Sequence, residues 1–175
     1  MTRFSLRFDP TLIPGLAKQY GYYQDEARVL HGIGPNARKR GYFTKEEFQD
    51  LCRWKTPRSQ SRVKSNPALF IEESTRIALS TPCEEMRIGV LTLLNGVLWP
   101  TASAVLHFSH GDPYPIIDFR ALWSLGINKR PQSYSFDYWW DYTEFCRALA
   151  DKQGVSMRDL DRALWQYSKE NQPPA

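Results

Sequence analysis

The sequence predicts an all-α fold, and three observations support this. Apolar residues recur at helical spacing, the segments that carry them are bounded by helix-starting and helix-ending residues, and sustained strand-like alternation is confined to one short stretch, residues 2–8. A chain of 175 residues is long enough to bury a core of its own. We therefore expect one compact domain, residues 1–175, of roughly seven or eight helices.

Two clear helices are expected in the first half of the chain. TKEEFQDLCRW begins with Thr44 as N-cap, and Glu47 follows three residues later, which is the pattern of a capping box. NPALFIEESTRIALS begins at Asn66 and Pro67. Its apolar positions predict a buried stripe made of Leu69, Phe70, Ile77 and Ala78.

The second half predicts five more helices. PCEEMRIGVLTLLNG and PTASAVLHFSHG open with proline and close with glycine, and DFRALWSLG opens with aspartate and closes with glycine. SFDYWWDYTEFCRALADKQG is long, aromatic and ended by Gly154. SMRDLDRALWQYSKE starts at Ser156 as N-cap, with Asp159 at its third helical position.

Composition narrows the class of protein. The longest apolar run is too short for a membrane span of about 20 residues, and the first residues lack the apolar core of a signal peptide, so we expect a cytoplasmic protein that does not bind membranes. The net charge is +4, with basic clusters at 36–40, 52–64 and 127–132, which favours a nucleic-acid partner and a solvated surface about equally. No zinc or disulfide pattern joins the three cysteines, and the histidines lack metal spacing. We therefore expect free thiols and no metal site.

The stretch from Leu93 to Leu122 carries the features with chemical meaning. A short glycine-containing loop, NGVLWP, joins two predicted helices, and the second helix starts with Pro100. The N-terminus of a helix beside such a loop can hold an anion such as a phosphate. After the next turn, Asp118 follows an apolar pair and opens another helix. By itself this acid is more simply a helix cap than a catalytic group.

Together, these segments resemble the helix-hairpin-helix DNA glycosylase superfamily. The resemblance covers about thirty residues, 93–122, and rests on the hairpin, the small-residue helix, the glycine turn and the approach to the acid. The matching residues are Leu94-Asn95-Gly96-Val97, Thr101-Ala102, Ala104-Val105-Leu106, Gly111 and Pro115-Ile116-Ile117-Asp118. The family's lytic lysine position falls on Pro100, and its second hairpin glycine falls on Leu98.

The resemblance implies a helix-hairpin-helix motif and a monofunctional DNA glycosylase. Such an enzyme flips a base out of DNA and hydrolyses its N-glycosidic bond, with Asp118 as the catalytic carboxylate and no lyase step because the lysine is missing. The implied partner is DNA, the expected oligomeric state is a monomer, and no cofactor is implied beyond a monovalent cation at the hairpin. The identity of the excised base is left undetermined, and so is the choice between a role in DNA repair and one in defence against phage DNA.

Two further groups of residues complete the predicted site. The expected DNA-binding residues are Asn95, Gly96, Val97, Trp99 and Thr101 of the hairpin, together with Arg58, Arg62, Lys64 and Arg120. Aromatic faces with nearby donors are needed to hold a flipped base. The expected base-pocket residues are therefore Trp54, Lys55, Tyr138 and Trp139.

Two other functions remain open at this point. The first is a non-catalytic DNA-binding module, in which Asp118 only caps a helix. The second is a helical interaction protein whose many tryptophans and tyrosines form a protein interface. The salt dependence of binding distinguishes the interaction protein from the glycosylase and from the DNA-binding module, because phosphate binding weakens steeply with ionic strength.

Overall fold

All regular structure in residues 3–21, 24–129 and 131–173, the part of the chain that the computed structural model describes, is helical. The predicted all-α class is therefore confirmed. Thr2 of the strand-like stretch and Arg130 of the basic cluster 127–132 lie outside these residues. The helices are α1 (Ile13–Gln19), α2 (Gln24–Arg28), α3 (Gly34–Arg40), α4 (Lys45–Lys55), α5 (Gln60–Lys64), α6 (Ala68–Ser80), α7 (Glu84–Thr92), α8 (Trp99–Ser109), α9 (Phe119–Ser124), α10 (Phe136–Gln153) and α11 (Met157–Asn171).

The ends of these helices are set by local chemistry. At the start of α4, the Thr44 hydroxyl accepts from the Glu47 amide, and the Glu47 carboxylate accepts from the Thr44 amide, so the predicted capping box is confirmed. Ser156 caps α11 by accepting from the Asp159 amide. At the end of α10, Gly154 has a φ of 61°, the left-handed geometry that favours glycine.

The strand-like alternation at the N-terminus does not correspond to a strand in the described residues. Residues 3–8 form no strand, although their backbone is paired: the Ser5 amide donates to the Leu125 carbonyl (3.1 Å) and the Arg7 amide to the Ser124 carbonyl (3.0 Å). These carbonyls lie at the end of α9, where a helix leaves acceptors unused. The segment thus satisfies its backbone against a helix end instead of a second strand.

The buried face predicted for α6 is also wrong. Leu69, Phe70 and Ile77 are exposed by 69%, 40% and 40%, and only Ala78 of the predicted stripe is buried. The buried face consists of Ile71, Ser74, Thr75 and Ala78. Small side chains face inward here, and the Thr75 hydroxyl binds the Phe43 amide (3.0 Å), so hydrophobicity alone does not identify the packed side.

The chain divides into two compact units, unit 1 (Met1–Gly21 and Pro113–Ala175) and unit 2 (Tyr22–Asp112). In unit 2, α3, α4 and α7 all pack against α8, whose side chains are almost all small or apolar and buried. Gly34 of α3 lies so close that a Cβ would stand 2.3 Å from the Phe108 carbonyl oxygen. The close approach of α3 therefore requires glycine. That the chain forms one domain stays a prediction.

In unit 1, α1 and α9 pack against α11, and α10 also contacts it. Trp139 and Tyr142 of α10, together with Tyr114, are the largest fully buried side chains among the described residues of this unit. No helix within the described residues is both long enough and apolar enough to cross a membrane.

Candidate nucleic-acid interface

The connection between α7 and α8 is a six-residue turn, residues 93–98. Gly96 sits in it with a φ of +80°, a conformation that other L-residues rarely adopt. Leu98 then caps α8 through its carbonyl, which accepts from the amides of Thr101 and Ala102 (2.9 Å each). The turn thus presents the N-terminus of an eleven-residue helix, the end of a helix dipole that favours anions.

A buried asparagine from another helix end fixes this turn. Asn66, which is 0% exposed, donates from Nδ2 to the Asn95 carbonyl (2.9 Å) and accepts at Oδ1 from the Asn95 amide (2.8 Å). Its Nδ2 also donates to the Val63 carbonyl (2.9 Å). One side chain therefore holds both backbone groups of the residue before Gly96 and ties the turn to the end of α5.

The basic segment predicted to contact DNA lies against the same turn. A Cβ on Gly96 would stand 3.0 Å from Val63 Cγ2 and 3.1 Å from both Arg62 Cβ and the Ser59 carbonyl oxygen. A second link joins the Thr56 and Thr101 hydroxyls at 3.1 Å. Sequence-distant segments, 56–66 and 95–101, are thereby brought together. The side chains of Arg58, Arg62 and Lys64 are all exposed beside them.

The predicted hairpin residues fall into two groups. Asn95 is exposed and Gly96 and Trp99 are half-exposed, so all three are within reach of a ligand. Val97 and Thr101 are each only 2% exposed. Their side chains anchor the turn to the core, and any contribution of these two residues to phosphate binding has to come from the backbone.

Trp54 and Lys55, two of the predicted base-pocket residues, are the last residues of α4. The Trp54 ring packs edge-on against Phe108 of α8, with centroids 5.1 Å apart. Both Trp54 and Lys55 are half-exposed. The Trp54 ring is thus partly used in packing and partly open.

Asp118 lies in unit 1, at the N-cap of α9. Its Oδ1 accepts from the amides of Arg120 (3.0 Å) and Ala121 (2.9 Å). The carboxylate is therefore held in one orientation, and the residue is half-exposed. Close by in the core, the Tyr142 hydroxyl donates to the Ile116 carbonyl (2.9 Å). Burial, followed by neighbouring groups that include the Asp118 charge, raises the pKa of Tyr142 well above its usual value, so it remains a hydroxyl donor.

Arg120 directs its guanidinium to aromatic rings, 5.0 Å from the Trp165 centroid and 5.1 Å from that of Phe119. Its backbone amide, by contrast, serves the Asp118 carboxylate. Arg120 thus connects the acid to an aromatic surface of unit 1.

Of the two predicted base-pocket residues on α10, Tyr138 and Trp139, the second is buried in the core. Trp139 is 0% exposed and stacks on Tyr114, with centroids 5.8 Å apart and planes 7° apart. A ring packed on all sides has no face to offer a base, so the pocket role of Trp139 is dropped. Tyr138 is half-exposed, edge-on against Phe4, and lies under the Arg3 guanidinium at 4.7 Å.

Asn66 is the residue that sequence reasoning missed. The pair Asn66-Pro67 is typical of a helix start, and α6 does begin just after it. The sequence gives no indication that the Asn66 side chain turns away from this helix to bind a loop 29 residues further along the chain.

No metal site is indicated in the described residues, where no three His, Cys, Asp or Glu side chains come together. The His110 ring instead contacts two protein groups, with its Nε2 2.7 Å from Arg87 Nη1 and its Nδ1 2.9 Å from the Asp112 amide nitrogen. Burial lowers the pKa of His110, with the Arg87 charge acting in the same direction. Burial also raises the pKa of Cys52 to about 12, which leaves this thiol protonated and unreactive.

Comparisons of the chain with protein-family models, with curated proteins and with solved structures find no match.

Proposed function

We propose that the protein binds DNA through unit 2 and acts on it as a monofunctional DNA glycosylase through Asp118. The observation that carries the proposal is the assembly of the Gly96 turn, the N-terminus of α8 and the basic segment at one place in unit 2. The turn and the helix N-terminus are consecutive in the chain, the basic segment is distant from them in sequence, and each of these parts favours a bound phosphate.

The turn supplies backbone amides that can donate to a phosphate. In the described chain the amides of Gly96 and Leu98 donate to no other protein group, so both can serve a phosphate oxygen. The guanidinium and ammonium groups of Arg58, Arg62 and Lys64 extend the positive surface on one side. Such contacts fix the position of a duplex without reading its sequence.

Asp118 supplies the chemistry in this proposal. Cleavage of the N-glycosidic bond passes through a sugar with oxocarbenium character, which a nearby carboxylate stabilises while a water attacks. The backbone amides of Arg120 and Ala121 orient the Asp118 carboxylate. Its assignment rests on these contacts, its partial exposure and the sequence resemblance over residues 93–122.

The test is alkali-induced strand scission on a panel of DNAs containing normal, uracil, oxidised, alkylated or hypermodified bases. Asp118→Asn is the decisive variant, because asparagine is an equally good N-cap and keeps an oxygen for the amides of Arg120 and Ala121. We expect alkali-labile breaks in one substrate, lost in Asp118→Asn with unchanged DNA affinity. Arg62→Gln serves as the matched binding variant and should weaken affinity while single-turnover excision at saturating protein is retained.

The second candidate is a non-catalytic DNA-binding module. It is favoured by the capping geometry of Asp118, which accounts for the residue without any chemistry. Intact DNA across the whole panel, together with salt-sensitive binding that depends on Arg62, would select this candidate and refute the glycosylase proposal.

A further inference from the structure

We infer that Phe119, Arg120, Trp165 and Lys169 form a platform in unit 1 that binds an unpaired nucleobase and the phosphates beside it. The inference rests on the proposed function, since it names the surface that takes a base next to Asp118. None of Phe119, Trp165 and Lys169 was expected from the sequence to contact DNA.

The platform alternates rings and cations. The Arg120 guanidinium lies between two aromatic side chains, 5.1 Å from the Phe119 centroid and 5.0 Å from the Trp165 centroid. On α11, Lys169 is one turn beyond Trp165 and places its ammonium group 5.3 Å from the same ring. Rings that stack on bases, interleaved with cations that follow the backbone, are the composition that binds single-stranded nucleic acid.

Exposure supports a ligand-binding role. Phe119 is 49% exposed, and Trp165 is half-exposed, with the edge-on ring of Tyr20 supporting it 5.2 Å away. About half of Phe119, a large apolar residue, is left in water at a position next to a carboxylate, so core packing alone does not account for it. By contrast, the other two cations on the same face of α11, Arg158 and Arg162, are largely buried, with side chains 11% and 9% exposed. Only the Trp165–Lys169 end of this face is open.

The exchange of partners on binding is energetically favourable. An exposed cation–π contact is weaker than the stacking of a nucleobase on an aromatic ring. A base can therefore displace a cation from the Trp165 ring, and the displaced Arg120 or Lys169 is then free to pair with a phosphate. The Arg120 amide meanwhile keeps the Asp118 carboxylate in place, which links the platform to the proposed catalytic group.

The test compares three fluorescein-labelled DNAs by anisotropy: a thymidine oligonucleotide, a fully paired duplex, and the same duplex with one bulged thymidine. We expect Trp165→Leu to weaken binding of the oligonucleotide and of the bulged duplex roughly tenfold, with the paired duplex nearly unaffected. Trp165→Phe should retain most of the affinity, because it keeps a stacking face. Lys169→Gln should reduce the salt dependence of oligonucleotide binding by about one phosphate contact.

Two variants keep the result independent of folding. Phe119→Ala removes an exposed ring and should also weaken oligonucleotide binding. Trp140→Leu is the matched control: Trp140 is another half-exposed tryptophan of unit 1 with an arginine, Arg147, 5.4 Å from its ring. Unchanged oligonucleotide affinity in both Trp165→Leu and Phe119→Ala would overturn the platform, as would an equal loss in Trp140→Leu or no oligonucleotide binding by the unaltered protein.

The same experiment separates failure of the platform from failure of the proposed function. Duplex binding that depends on Arg62, with no effect of the Trp165 and Phe119 variants, refutes the platform alone. Oligonucleotide binding that depends on Trp165, without excision of any base in the panel and without an effect of Arg62→Gln on duplex binding, refutes the proposed function alone.

Discussion

Replacing Asn66 by alanine tests whether one buried side chain holds the candidate interface in shape. The substitution removes three hydrogen bonds, two to the backbone of Asn95 and one to the Val63 carbonyl. Each such bond contributes about 1 kcal/mol net, and more when its partner is left buried and unsatisfied. We therefore expect the free energy of unfolding to fall by about 3 kcal/mol, a large share of the roughly 5–15 kcal/mol typical of folded domains.

Urea unfolding monitored by circular dichroism measures this loss, with the slope of the transition unchanged. For a chain of this size, the same loss lowers the melting temperature by roughly 9 °C. Anisotropy with a paired duplex provides the second readout. We expect weaker binding at temperatures where Asn66→Ala is still folded, because the Gly96 turn loses the group that fixes it.

Asn95→Ala is the matched control. It removes an exposed side chain whose one side-chain bond is a 3.4 Å contact to the Ser65 hydroxyl, and it leaves the backbone bonds to Asn66 in place. We expect a change within about 0.5 kcal/mol. If Asn66→Ala and Asn95→Ala were equally stable, the argument that Asn66 fixes the turn would be refuted.

Three further predictions concern packing, pH and thiol reactivity. Gly34→Ala should destabilise the protein by roughly 3 kcal/mol or more, because its Cβ would overlap the backbone of α8. Gly89→Ala, which has open space around the new Cβ, should instead stabilise α7 by about 0.5–1 kcal/mol. Thermal unfolding of the two variants tests this difference. The folded state holds the proton of His110 more weakly than the unfolded state, so the free energy of unfolding should decline as the pH falls below about 6.5. Urea unfolding at a series of pH values should show a smaller decline in His110→Gln. An unchanged pH profile in this variant would contradict the role of His110. Ellman's reagent should modify the exposed Cys83 in the native protein and reach the buried Cys52 only after unfolding; rapid native labelling of Cys52 would contradict its burial.

The helix ends were the most predictable part of the structure. Thr44, Ser156 and Gly154 act within a few residues of themselves, through hydrogen bonds or a φ value that neighbouring sequence specifies. Local chemistry of this kind is visible in one sequence.

Features that depend on distant partners were not predictable. Asn66 reads as a helix start, although its side chain binds a turn far along the chain. Leu69 and Phe70 read as core, whereas the packed side of α6 uses small residues such as Ser74. The sequence around Trp139 is compatible with a pocket residue as well as with the commoner core residue, and the position of Tyr114 against it decides for core. In each case the deciding atom belongs to another segment.

The division of the chain has a consequence for the order of folding during synthesis. Unit 2 is continuous in sequence, so all of its helices leave the ribosome together and can pack at once. Unit 1 is interrupted, and its α1 packs on α11, which is made last among the helices described. The buried residues Ile13 and Leu16 of α1 must therefore wait through the synthesis of unit 2 before they are covered. During this interval the apolar side chains of α1 remain uncovered on the nascent chain, a state that favours aggregation.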